Sequence, residues 1–167
     1  CRKRGNSLVY YHLPLKDGMK IDRMYEANNG TTWFSFGGGV GKLIGDQFQY
    51  IPPEPGFQKA RIYPEECDRF GNQWFSSVYI GIQRFNSQSF KHFPFESEGI
   101  TTHNEVSAML ESRSGKIWFG THRGGVVCYN GEVFSVFQAF NKGPCIIRAL
   151  YEDKAGDIWI SVLNKGV

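Results

Sequence analysis

The sequence predicts an all-β protein made of about four four-stranded antiparallel repeats. Three observations predict it. All four tryptophans, Trp33, Trp74, Trp118 and Trp159, stand three residues after a glycine (Gly30, Gly71, Gly115 and Gly156). They lie 41, 44 and 41 residues apart, and self-similarity at a period near ~40 residues marks a repeat architecture. The chain is rich in glycine, 20 of 167 residues, and in aromatics, at 16 %, a mix that suits short strands joined by tight turns. No stretch sustains a capped helical pattern, so no helix beyond a turn or two is expected. Four short strands per repeat of this length is the blade of a β-propeller. One such meander cannot bury both faces alone, whereas stacking blade on blade buries them.

The elements follow in order. Ser7 to Leu13 is β-branched and aromatic, bounded by Gly5-Asn6 and Pro14, and reads as the last strand of a preceding repeat. Arg2-Lys3-Arg4 before it is a solvated strand end or turn. The first full repeat then has strands at Ile21 to Glu26, Trp33 to Phe36, Val40 to Ile44 and Gln47 to Ile51. Its turns are Asn28-Asn29-Gly30, Gly37-Gly38-Gly39 and Gly45-Asp46, where Asn and Gly tolerate positive φ. Pro52-Pro53-Glu54-Pro55-Gly56 is a stiff link. The second repeat reads Arg61 to Glu66, Trp74 to Ser77, Gly81 to Phe85 and Ser89 to Phe93; Pro64 interrupts its first strand. Pro94 to Asn104 is a longer polar loop. The third is the cleanest: Glu105 to Glu111, Lys116 to Thr121, Gly125 to Tyr129 and Glu132 to Phe137. The fourth has Cys145 to Asp153 and Asp157 to Val162, with Gly166-Val167 entering a third strand. The division is therefore 1–19 as the end of one blade, 20–59, 60–104 and 105–144 as blades, and 145–167 as the first half of another. The eight Gly and Trp anchors are structural in this reading: a turn, and a large apolar side chain buried between blades in all four copies.

Net charge is +3, with both signs interspersed, which gives no basic stripe for nucleic acid. Cys1, Cys67, Cys128 and Cys145 form no C-x-x-C pair and do not recur between repeats, so they read as mostly free thiols without zinc. No apolar run approaches a membrane span. Cys1 reads as a truncation point in preference to a lipid-bearing N-terminus. Phe36 to Leu43 contains glycines and Lys42 but lacks the first glycine, the Ser or Thr after lysine, and the following helix of a phosphate loop. Asn29-Gly30-Thr31 is a formal glycosylation sequon explained by its turn. His12, His92, His103 and His122 occupy unrelated repeat positions, and Asp153 to Asp157 is too short for a calcium loop. No catalytic residue, metal or cofactor is expected.

The stretch Val106 to Thr121 followed by Gly124 to Tyr129, and the stretch Ile147 to Val162, resemble the two-component regulator propeller repeat. The resemblance covers nearly the whole chain as four copies. The second departs from it, with Cys67 where Glu26, Glu111 and Glu152 stand. It implies part of a seven-bladed propeller in the periplasmic sensor region of a hybrid two-component histidine kinase of an inner membrane, of the kind found in Bacteroidetes. It further implies oligosaccharide as ligand, the remainder of the sensor region as partner, and a homodimeric parent. A four-bladed ring closed by the N-terminal strand is the alternative to an open arc. An open arc leaves two blade faces uncovered and is expected to dimerise or aggregate when expressed alone.

Ligands of propellers gather on loops entering the innermost strands. Thirteen residues before each Trp stand Lys20, Arg61, Glu105 and Ile146; eleven before stand Asp22, Tyr63, Ser107 and Arg148. Between them the chain is always apolar (Ile21, Ile62, Val106, Ile147). The variable polar positions, with His103 and Asn104, are the expected ligand-binding residues, since such side chains suit sugar hydroxyls and acidic sugar carboxylates. A scaffold or protein-interaction propeller without chemistry is the second reading; an enzyme has the least support.

Overall fold

The computed structural model describes residues 2–11, 13, 20–37, 39–57, 60–77, 81–94, 105–122, 125–137 and 146–166. Every regular element among them is a strand: β1 (Arg2–Arg4), β2 (Ser7–Val9), β3 (Ile21–Glu26), β4 (Thr32–Phe36), β5 (Gly39–Ile44), β6 (Gln47–Ile51), β7 (Ile62–Cys67), β8 (Gln73–Ser77), β9 (Gly81–Phe85), β10 (Phe90–Phe93), β11 (Val106–Glu111), β12 (Ile117–Thr121), β13 (Val126–Tyr129), β14 (Phe134–Phe137), β15 (Ile147–Glu152) and β16 (Ile158–Val162). They form three four-stranded antiparallel meanders, β3–β6, β7–β10 and β11–β14, flanked by the hairpins β1–β2 and β15–β16. Neighbouring blades meet through their first strands, β3 on β7, β7 on β11 and β11 on β15, so these are the inner strands of a propeller arc.

Each Gly of the repeated motif closes the hairpin between first and second strands. Gly30, Gly71, Gly115 and Gly156 have φ of 79, 82, 83 and 96°, a region that costs a Cβ-bearing residue. Each donates its N–H to the carbonyl three residues back, on Ala27, Asp68, Ser112 and Asp153. Two segments differ from expectation. Among the described residues of Ser7 to Leu13 the strand covers Ser7–Val9, and it pairs with Arg2–Arg4 in a hairpin where a lone last strand was expected. Pro64 stays within β7 opposite Phe75; the missing N–H shows up instead as irregular register between Pro64 and Cys67.

The core lies between the sheets. Side chains alternate across a strand, so the adjacent pair Trp74 and Phe75 on β8 faces both ways. Trp33 reaches forward to Phe75 and Phe85 of the next blade, with ring centroids 5.3 and 5.8 Å apart and nearly perpendicular planes. Trp74 does the same to Phe119 and Tyr129. Trp118 packs forward onto the cluster around Ile147 and Val162. At that joint the backbones approach closely: a Cβ on Gly120 would stand 2.4 Å from Ile147 Cγ2. Trp159 breaks the expected pattern. It is 51 % exposed, against 5 % for Trp33 and 1 % for Trp74, because no described blade stands in front of it.

Polar links reinforce two joints. Arg69 donates its backbone N–H to Glu111 Oε2 (2.9 Å) and Nε–H to Glu111 Oε1 (2.6 Å). Its remaining nitrogens donate to the carbonyls of Ser112 and Arg113 (2.6 and 3.0 Å). Arg113, one repeat on, makes the same set to Glu152 and the carbonyls of Asp153 and Lys154. The forward Arg needs a Glu in the following blade. The first joint has neither: Asn28 stands at the Arg position and Cys67 at the Glu position. It is linked instead by Arg23 to Glu65 (3.0 Å).

Trp74→Ala empties the best-buried joint and is expected to destabilise the protein by about 3–5 kcal/mol, read from chemical denaturation. Cys67→Glu alone meets Asp68, Glu111 and Glu66, which with burial already push the Cys67 thiol up, and is expected to destabilise. Adding Asn28→Arg supplies the missing partner, with a coupling of about 1 kcal/mol in a double-mutant cycle that falls at high salt; zero coupling would refute the equivalence of the joints.

Candidate functional site

The inner strands carry a repeated irregularity. Register skips between Ile21 and Arg23, between Val106 and Ala108, and between Ile147 and Ala149. The residues passed over are Asp22, Ser107 and Arg148, the positions eleven before Trp. A bulge residue leaves the ladder and re-aims its side chain. In the second repeat Tyr63 stays paired, opposite Ser76.

Three of the sequence-predicted residues meet in one cleft of ≈ 240 Å³: Asp22 from the first blade, Tyr63 from the second and Glu105 from the third, with Arg23, Ser76, Ser77 and Val106 completing the lining. The others fall elsewhere. Lys20, Arg61 and Arg148 are exposed and do not line it. Ser107 is committed to the framework: its Oγ–H is within reach of the carbonyls of Ile147 and of Gly120 (3.3 Å), bridging third and fourth blades. His103 and Asn104 lie outside the described residues. Arg23, Ser76 and Ser77 were missed by sequence reasoning. The signal was there for two of them, since counting back from the hairpin turn places Ser76 and Ser77 opposite Tyr63 and Ile62.

The polar groups of the cleft are unevenly satisfied. Glu65, its side chain only 7 % exposed, accepts from Arg23 Nη1 (3.0 Å) and from Ser76 Oγ (2.6 Å). Glu105 Oε2 stands 2.9 Å from His122 Nδ1. Ser77 Oγ is buried with no hydrogen-bond partner among the described residues. An orphaned buried hydroxyl costs about 1–3 kcal/mol, and Ser77 is among the residues that line the cleft. The lining offers two carboxylate acceptors, hydroxyl donors, one aromatic ring and a guanidinium already engaged by Glu65. That set can hold a polyhydroxylated molecule through many hydrogen bonds. Among the described residues no three His, Cys, Asp or Glu side chains converge as metal ligands. Cys67 and Cys128 are free; Cys1 and Cys145 lie outside the described residues.

Burial pushes the Glu65 carboxyl above the ordinary carboxylate range, outweighing the Ser76 hydrogen bond and Arg23, which pull it down. The folded state therefore holds this proton more tightly than the unfolded chain, and Glu65 lowers stability as pH rises through its folded value. Against Glu65→Gln, which does not titrate, the wild type is expected to gain relative stability as pH is lowered from neutral through that range, measured as the difference in melting temperature; a pH-independent difference would contradict this.

Residues 102–123 match the family model of the two component regulator propeller. No curated protein matches the chain. Among solved structures, the extracellular domain assigned to a hybrid two component system of B. thetaiotaomicron superposes with a TM-score of 0.60 at 25 % identity, covering 82 % of this chain and 20 % of that one. PorZ, an essential surface component of the type-IX secretion system of Porphyromonas gingivalis, gives 0.65 at 14 % identity over 96 % of this chain and 27 % of that one. A protein of unknown function from Bacteroides caccae gives 0.53 at 15 % identity, covering 89 % and 55 %. The chain thus spans about a fifth to a half of the length of these structures, and the two at lower identity share its fold alone. The chain carries a two component regulator propeller repeat, set in the β-propeller fold that it shares with such an extracellular domain.

Proposed function

We propose that this chain is a ligand-sensing segment of a propeller in the extracytoplasmic sensor region of a hybrid two-component system, and that its ligand is an oligosaccharide held without covalent chemistry. The observation that carries the reading is the cleft. Inner strands of three successive blades send Asp22, Tyr63 and Glu105 to one place, beside the unpartnered hydroxyl of Ser77. The repeat matched at residues 102–123 and the likeness to an extracellular domain of a hybrid two component system support the setting. In this reading the segment binds and orders the cleft, while the membrane anchor, the kinase and the passage of the signal belong to other parts of the parent protein. Carboxylates and hydroxyls accept and donate in the pattern that sugar hydroxyls need, and Tyr63 offers an apolar ring face. Arg23 is neutralised by Glu65, so Asp22 and Glu105 leave the lining unfavourable to acidic sugars; this narrows the expectation from sequence, which included acidic sugar carboxylates.

A protein-docking role draws on a different observation, the exposed Phe70 at the β7–β8 turn of an interior blade. Calorimetry against neutral, amino and uronic-acid oligosaccharides separates the two. Binding of a neutral glycan is expected, with Tyr63→Ala and Asp22→Ala each weakening it by about tenfold, or 1.4 kcal/mol, at unchanged melting temperature. No heat with any glycan, alongside a stable protein partner, would replace sensing with docking.

A further inference from the structure

Two residues at the cleft break the repeat, and they are bonded to each other. Nine residues before each tryptophan stand Met24, Glu65, Met109 and Leu150. Three copies place a large apolar side chain there, and Met109 and Leu150 pack against core clusters. The second copy places a carboxyl. Ten residues before each tryptophan stand Arg23, Pro64, Ala108 and Ala149. Only the first copy has a long cation at this position. The two exceptions fall on β3 and β7, strands of complete four-stranded blades packed on each other, so their link lies at an interior joint.

Glu65 does not line the cleft, yet it holds two residues that do. Its Oε1 accepts from Arg23 Nη1 at 3.0 Å and from Ser76 Oγ at 2.6 Å. The Glu65 side chain is 7 % exposed and that of Arg23 49 %. Burying a carboxylate where the repeat elsewhere packs methionine or leucine costs free energy unless the charge is paired and hydrogen-bonded. Here the compensating partners are both cleft residues. As a carboxylate Glu65 can only accept, so Ser76 gives it the one hydroxyl proton it has, and this bond fixes the carboxylate against Arg23. Arg23 is the only cation among the residues that line the cleft. With its charge met by Glu65, the lining is left with Asp22 and Glu105 as its uncompensated carboxylates on the ligand side.

We infer that Glu65 is a positioning residue that sets the charge selectivity of the cleft, holding Arg23 so that a neutral sugar is preferred over its uronic-acid counterpart. This rests on the cleft being the oligosaccharide site. A guanidinium meets a carboxylate through charge-assisted, often paired hydrogen bonds. Released from Glu65, Arg23 offers those bonds to a uronic acid. The selectivity therefore resides in a side chain that does not touch the sugar, at a position where the repeat's own residue would give the opposite preference.

Glu65→Met installs the residue that the first and third repeats carry at this position. Calorimetry on matched neutral and uronic tetrasaccharides of the glucose, galactose and mannose series compares it with the wild type. The uronic-to-neutral affinity ratio is expected to rise about tenfold, and adding Arg23→Gln is expected to abolish the rise. Glu65→Gln keeps the shape and loses the charge, and is expected to move the ratio in the same direction. A purely structural role for Glu65 would move both affinities together and leave the ratio unchanged. With no glycan present, Glu65→Met is also expected to speed modification of Arg23 by phenylglyoxal, read by peptide mass spectrometry. An unchanged ratio with neutral glycan still bound, a rise that persists without Arg23, or an unchanged rate of Arg23 modification would each overturn the inference and leave the oligosaccharide site standing. Wild type that binds no glycan would overturn both.

Discussion

The structure depends on a strand that is buried on both faces. In the three four-stranded blades the second strand has almost no solvent side: β8 is buried at all five positions, β4 at all but its first and β12 at all but Trp118. Such a strand is stable only if both neighbours are present, and the pair Trp-aromatic at its centre meets both demands at once. The indole goes forward and the next residue, Phe34, Phe75, Phe119 or Ile160, goes back. Hydrophobic burial gives this contact its magnitude, while edge-to-face ring geometry and the Arg–Glu links give it a register. The tight hairpin before the tryptophan follows from the same demand, because it fixes how far the indole stands from the turn and hence from the neighbouring blade.

The same constraint explains the placement of the cleft. If central strands are consumed by packing, freedom is left at the ends of the inner strands, where a side chain can leave the ladder without emptying a joint. The bulges at Asp22, Ser107 and Arg148 do that, and the apolar residue just before each one (Ile21, Val106, Ile147) holds its place in the ladder. Bulges therefore divide the labour within three consecutive residues. Ser107 shows that a re-aimed side chain can also be recruited to bind one blade to the next.

Most of the architecture was legible in the sequence because its cause is periodic. A joint repeated three times prints the same residues three times, and Gly30, Gly71, Gly115 and Gly156 mark each turn unambiguously. What a repeat cannot tell is where it stops being satisfied. Trp159 shares with Trp74 the aspartate six residues before it, the glycine three before it and the indole bond to that aspartate, yet it is half exposed, since its burial depends on a neighbouring blade and not on its own hairpin. The hairpin at Arg2–Arg4 was missed for a related reason: three cations have poor strand propensity, and only pairing with Ser7–Val9 makes them a strand. In the cleft, Asp22, Tyr63 and Glu105 could be counted out from the tryptophans. Arg23 and Glu65 could not, because their pairing crosses the one joint at which the repeat departs from its own rule.

That departure has a meaning for how such an array can change. Asn28 and Cys67 belong to different blades, and each looks like an isolated lapse within its own repeat. Across the joint they are one substitution in two places: the donor is absent where the acceptor is absent. The unit that must stay self-consistent is therefore the seam, not the blade. A duplication or exchange with breakpoints at blade boundaries would set Arg69 or Arg113 against Cys67, or Asn28 against Glu111, and strand half a link in a crowded acidic turn. Breakpoints inside a blade would carry each seam across whole. The array can be lengthened or shuffled with little damage only along cuts that its own repeat boundaries do not mark.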